Sequence, residues 1–202
     1  MKRKKIIFTG FLALFLSIGT YFYFDVCKEY KFKSKIGDIL GAISGMENWI
    51  RFSPETKNFS ILFPKQPLSQ THAIPIPGST NVLTYEEHSL ESKSYGFFSV
   101  SHMTLPQKWT KWGASLTLKG AFKLIMQRVK YTKILGKQSS NFKGLPSFDY
   151  EYHSAKTHSI GKLILVKNTL YRIEMTFPLD TEEAIKEKGS FFIRSFEIKN
   201  ES

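Results

Sequence analysis

Asp149, Glu151 and His153 are the side chains best suited to catalysis or metal binding. They alternate with aromatic residues in Phe148-Asp149-Tyr150-Glu151-Tyr152-His153. In an extended chain, alternate residues project from one face. Two carboxylates and an imidazole on one face could form an acid–base pair or ligate a metal, as in a metal-dependent hydrolase. Successive positions on that face lie about 6.5–7 Å apart, so the three side chains would have to converge. The simpler account is a solvated face of an antiparallel sheet, which shows the same alternation, and the sequence favours it. His72, His88, His102 and His158 are scattered, and no HExxH helix surrounds any of them. A metal site built from two or three histidines therefore requires the fold to bring them together. Ser99 and Ser101 lie near His102 without a nucleophile elbow. The single cysteine, Cys27, can form neither an intramolecular disulfide nor a Cys-rich zinc site. Gly113, Gly120, Gly136 and Gly144 form neither GxxxxGK nor GxGxxG. The expectation is a non-catalytic binding protein with no cofactor and no metal signature.

A second kind of chemistry is electrostatic. The chain carries 29 Lys+Arg against 17 Asp+Glu, a net charge of +12. Between Ser92 and Ser147 there is no acidic residue, while Lys93, Lys108, Lys111, Lys119, Lys123, Arg128, Lys130, Lys133, Lys137 and Lys143 all fall there. Lys119 and Lys123 stand one turn apart on the polar side of an expected helix. With Arg128, Lys130 and Lys133 they form a candidate surface for anionic lipid, an anionic polymer or an acidic protein. Even solvation is the competing account, since such charges also keep a domain soluble. Nucleic acid is not an expected partner of an exported domain.

These residues need elements to hold them. Phe59-Ser60-Ile61-Leu62-Phe63 reads as a strand closed by Pro64. Thr71 to Ile76 reads as an edge strand, because Pro75 and Pro77 cannot donate to a ladder. Val82–His88 and Phe97–Met103 follow. A helix is expected over Ser115–Val129, with Leu118, Ala121, Phe122, Ile125 and Val129 on one stripe and Trp109 and Trp112 flanking its start. Tyr131–Leu135 reads as extended. Strands Phe148–His153, Lys162–Val166 and Leu170–Phe177 come next, the last two joined at Lys167-Asn168-Thr169. Tyr171, Ile173, Met175 and Phe177 share one face, and Arg172, Glu174 and Thr176 the other. Asp180 and Glu183 form a capping pair before a final helix whose Ile185 and Phe192 face the core.

At the amino terminus, the basic residues 1–5 precede an uncharged run from Ile6 to Phe24. As a helix, that run would span roughly 28 Å, close to the bilayer hydrocarbon. Residues 6–24 read as a transmembrane signal-anchor and 25–47 as a tether. Cleavage after Gly19 is the alternative; the run stays apolar for five residues beyond it, which favours retention. The residues before Cys27 are Phe24-Asp25-Val26, too bulky and charged for a lipid-attachment signal. Basic residues flank the run on both sides, four before it and Lys28, Lys31, Lys33 and Lys35 after it. The build of an export signal favours a single-pass cell-membrane protein with its globular domain, residues 48–202, outside the cytoplasm. Asn58-Phe59-Ser60 and Asn200-Glu201-Ser202 match the glycosylation triplet, which is too short to carry weight by itself.

Trp49-x-x-Phe52 followed by Phe59-Ser60-Ile61-Leu62-Phe63-Pro64-x-x-Pro67 resembles the opening of the PsbP-like family. Gly144-Leu145-Pro146 before an aromatic strand, Lys167-Asn168-Thr169-Leu170-Tyr171, and Ser195-Phe196-Glu197-Ile198 extend the likeness over residues 48–199. The resemblance implies an α+β fold in which a six- or seven-stranded antiparallel sheet is covered by helices. That family includes an extrinsic subunit of photosystem II and many exported bacterial proteins, and it has no shared catalytic centre. The resemblance bears on the fold more than on the function; together with the amino-terminal signal, the favoured expectation is an accessory or assembly factor for a membrane or envelope complex, with an unidentified protein partner.

Overall fold

The structure is a computed structural model that describes residues 45–55, 58–75, 82–127, 129, 133–181 and 183–199. The run 6–24 expected as an anchor, most of the stretch 25–47 expected as a tether, Arg128 and Lys130 lie outside the described residues. Among the described residues no helix is long and apolar enough to cross a membrane.

Within the described residues, ten strands and three α-helices follow a 3-10 turn at Gly45–Asn48. The strands are β1 (Ile50–Phe52), β2 (Phe59–Phe63), β3 (Leu68–Pro75), β4 (Val82–Ser92), β5 (Gly96–Thr104), β6 (Lys133–Phe142), β7 (Leu145–His153), β8 (Thr157–Val166), β9 (Thr169–Pro178) and β10 (Glu197–Ile198). The helices are α1 (Gln107–Thr110), α2 (Ala114–Met126) and α3 (Glu183–Arg194). Seven strands form one antiparallel sheet in the order β3-β4-β5-β9-β8-β7-β6, and β1-β2-β10 form a small second sheet.

Local chemistry explains the turns and edges. The β6–β7 hairpin turns at Lys143 and Gly144, both with positive φ (52° and 85°). That pair matches the right-handed twist of the flanking strands, and Asn141 Oδ1 accepts the Gly144 N–H at 2.7 Å. The sheet edges fall on β3, which ends in Pro75, and on β6, which carries Lys133 and Lys137. Proline and lysine both discourage further strand pairing. The stretch expected as extended over 131–135 is a full strand from Lys133 to Phe142, with a register shift between Ile134 and Gly136. Its polar run hides it from periodicity; the β7 ladder is what makes it a strand.

The main sheet is buried on both faces. On one face lie Phe98, Val100, Ile173, Met175 and Phe177, covered by Phe59, Ile61 and Phe63 of β2 and by Phe192 and Ile193 of α3. Gly189 lets α3 approach closely, since a Cβ there would sit 2.5 Å from Ile160 Cδ1. On the other face Leu118, Ala121, Phe122 and Ile125 of α2 pack on Phe148, Tyr150, Tyr152 and Leu163. Four residues of the stripe read from the sequence, Leu118, Ala121, Phe122 and Ile125, are buried, while the fifth, Val129, lies beyond the helix end at Met126 and is half-buried.

Candidate functional site

The main sheet pairs Asp149 with one neighbour on β8 and sets Glu151 and His153 against another, His158. Asp149 pairs with Lys162, its cross-strand neighbour on β8. Glu151 Oε1 shares a hydrogen bond with His158 Nε2 at 2.6 Å. His153 packs its ring against His158, with centroids 4.5 Å apart. The face is a ladder of cross-strand pairs, and its three chemical side chains do not converge. Burial pushes the His158 pKa down, partly opposed by the Glu151 carboxylate.

A different cluster does converge. On β4 and β5 the nitrogen and oxygen donors of Glu86, His88 and His102 all lie within 4.8 Å of one another. The hairpin register produces this: Ser92 opposite Gly96 puts Glu86 directly opposite His102, and His88 follows two residues on along the same face. His102 Nε2 stands 3.3 Å from Glu86 Oε2. Ser69 Oγ of β3 lies 2.8 Å from His88 Nδ1 and fixes the ring from behind. His88 Nε2 is buried and has no hydrogen-bond partner among the described residues. Aromatic rings roof the cluster: Phe52 lies 4.8 Å from His88 and Phe59 5.7 Å from His102. The histidines are 4% and 2% exposed, whereas the Glu86 side chain is 21% exposed and gives the cluster its contact with solvent. Burial pushes the His88 pKa down to about 4, so the ring is neutral at pH 7 with a lone pair to offer. Sequence reasoning marked both histidines as scattered candidates and missed Glu86. The one signal that could have found Glu86 is the hairpin register.

The opposite face of the sheet holds a closed ionic network. Arg172 Nη2 donates to Glu174 Oε1 at 2.5 Å, Tyr150 Oη donates to Glu174 Oε2 at 2.7 Å, and Arg172 Nε donates to Tyr150 Oη at 3.2 Å. Tyr150 reaches Glu174 across β8 because Gly161 lies between them in register. A Cβ at Gly161 would fall 2.3 Å from Tyr150 Cζ. Burial raises the Tyr150 pKa and also that of Glu87 on the same face, where Arg172 pulls Glu87 back. Each carboxylate oxygen of Glu174 already has a donor, so this network serves the core.

Of the five basic residues expected at an anionic surface, Lys119, Lys123 and Lys133 are described, and all three are exposed. Leu116, Lys119 and Lys123 share one helical face of α2, opposite Leu118, Phe122 and Ile125. Leu116 is 58% exposed, and Trp112, just before the helix, is 69% exposed.

No family model matches the chain. No curated protein matches it in sequence. Among solved structures the chain is similar to cyanobacterial PsbP (CyanoP) from Synechocystis sp. PCC 6803, with a TM-score of 0.50 and 13% identity over 76% of this chain and 94% of that one. It is also similar to a protein of unknown function from Pseudomonas aeruginosa, with a TM-score of 0.43 and 6% identity over 77% of this chain and 99% of that one. The fold is PsbP-like.

Proposed function

We propose that this chain is a membrane-anchored, extracytoplasmic binding domain that serves as an accessory or assembly factor for a membrane or envelope complex. The PsbP-like fold and the amino-terminal sequence support that reading, and the α2 surface carries it. Leu116, Lys119 and Lys123 project together from α2, and Trp112, two residues before the helix, is exposed as well. The surrounding span from Ser92 to Ser147 contains no carboxylate to neutralise them. Exposed large apolar side chains among lysines mark a surface that meets something. Lysine stems lie along apolar surface while their charges reach anionic groups. A domain held near lipid by residues 6–24 would present this face to headgroups or to an acidic protein on them, each lysine contributing about 1 kcal/mol at an anionic surface.

A photo-crosslinking residue in place of Leu116, in the full chain in native membranes, tests the reading. The expected result is a discrete protein or lipid adduct that disappears when Lys119 and Lys123 are changed to Glu. Protease added to spheroplasts should digest residues 48–202. No adduct together with full protease protection would overturn both the surface and the orientation.

A further inference from the structure

We infer that Glu86, His88 and His102 form a binding site for one divalent transition-metal ion of the zinc class, with three protein ligands and one position open to a small ligand. The donor set is that of open zinc sites: two imidazoles and a carboxylate. Zinc–nitrogen and zinc–oxygen bonds of about 2.0–2.1 Å at tetrahedral angles place ligand atoms roughly 3.3–3.4 Å apart. His102 Nε2 and Glu86 Oε2 already stand 3.3 Å apart. The remaining donor comes from His88, and the whole set lies within 4.8 Å.

The surroundings point the same way. His88 is 4% exposed, and its Nε2 has no hydrogen-bond partner among the described residues. Native proteins seldom leave a buried polar atom unsatisfied, and a bound ion is one way of satisfying it. The other ring nitrogen is held by Ser69 Oγ at 2.8 Å. That is the outer-shell contact that orients a ligating imidazole and fixes which nitrogen is free. The three ligands sit on paired strands of a rigid sheet, so the site is held in shape before the ion arrives. Glu86 is the ligand that reaches solvent, and it provides the route of entry. A carboxylate and two neutral imidazoles leave a bound dication with one net positive charge, suited to an anionic or water-derived fourth ligand. The small sheet sits over the site through Phe52 and Phe59, so metal binding would also tie β1 and β2 to the main sheet.

The test uses the full, untagged chain with Cys27→Ser, which removes the one thiolate that would compete, after chelator treatment. Titration with Co2+ should give one equivalent of a tetrahedral complex with intense visible bands, displaced by Zn2+. Glu86→Gln keeps the shape of a partly exposed side chain and should lower the affinity more than a hundredfold with unchanged circular dichroism. Ser69→Ala should lower it about 10- to 100-fold, the usual effect of losing such a contact. His153→Gln, on the other histidine pair, should leave it unchanged. The inference is overturned if the wild-type site takes up no stoichiometric Co2+, or if Glu86→Gln binds it as tightly as wild type. It is overturned equally if His153→Gln abolishes binding. None of these results depends on the α2 surface or on the orientation in the membrane.

Discussion

Replacing Gly161 with alanine should break the reach of Tyr150 across β8. The added methyl would stand 2.3 Å from Tyr150 Cζ and 2.4 Å from its Oη. Carbon atoms in contact normally sit about 3.5–4.0 Å apart, so the ring must move by more than about 1 Å. It has little room, because Phe122 lies 5.6 Å away on one side and Tyr152 stacks at 6.2 Å. The movement breaks the 2.7 Å bond to Glu174. Losing a hydrogen bond to a charged group costs about 1.5–3 kcal/mol, and overpacking a core about 1–3 kcal/mol. Relief of glycine's backbone entropy returns about 0.5–1 kcal/mol. The expected loss is about 3 kcal/mol, or roughly 6–12 °C in Tm for a chain of this size. Urea and thermal unfolding followed by far-UV circular dichroism measure it. Gly136→Ala is the control, since its Cβ would meet nothing nearer than Glu151 Cβ at 3.9 Å. In a Tyr150→Val background, where the shorter side chain no longer crosses β8, the penalty at Gly161 should largely vanish. Equal stability of the Gly161→Ala and Gly136→Ala proteins would contradict this account, as would an undiminished Gly161→Ala penalty in the Tyr150→Val background.

Three further outcomes are expected of the same structure. Glu174→Ala should cost about 3–5 kcal/mol, because it strands a mostly buried guanidinium and a buried phenol; the triple change Arg172→Met, Glu174→Leu, Tyr150→Phe should recover most of that loss in denaturant unfolding, and failure to recover any of it would show that the network does more than satisfy itself. Lys188 is fully buried with its ammonium 3.7 Å from the Tyr95 ring centroid and no hydrogen-bond partner among the described residues, so Lys188→Met should stabilise by about 1 kcal/mol, the desolvation cost of a lone ammonium exceeding the roughly 2 kcal/mol of cation–π attraction. Burial lowers the Lys188 pKa from 10.5; the unfolded chain therefore binds more protons between the two values, wild-type stability from this group rises with pH across that window, and the advantage of Met should be largest below the folded pKa and fade as the pH rises towards the unfolded value. The fragment 45–202 should fold alone with a cooperative transition and bind anionic vesicles at low salt, releasing above a few tenths molar as screening demands; Lys119→Glu with Lys123→Glu should abolish binding without lowering Tm.

Most of the elements were legible in the chain alone, because one-sided burial writes a period into it. The α2 stripe Leu118, Ala121, Phe122 and Ile125 stood at helical spacing, and the inward face Tyr171, Ile173, Met175 and Phe177 of β9 alternated. Proline placed β3 at an edge, and aromatic turn signatures pointed to the PsbP-like fold. Short or polar strands left no such trace: β1 and β10 have three and two residues, and β6 is mostly hydrophilic. Alternation separated the two faces of β9 without telling what covers each: Glu174 and Thr176, on the polar face, are buried, because both faces of the sheet are covered and the ions satisfy each other there. The convergence of Glu86, His88 and His102 arises only on folding. Period two puts Glu86 and His88 on one face, but only the hairpin register sets His102 opposite Glu86, only the β3–β4 pairing brings Ser69 to His88, and only the packing of the small sheet encloses them. Register and packing depend on which strands meet, and a single strand's sequence does not record its neighbour.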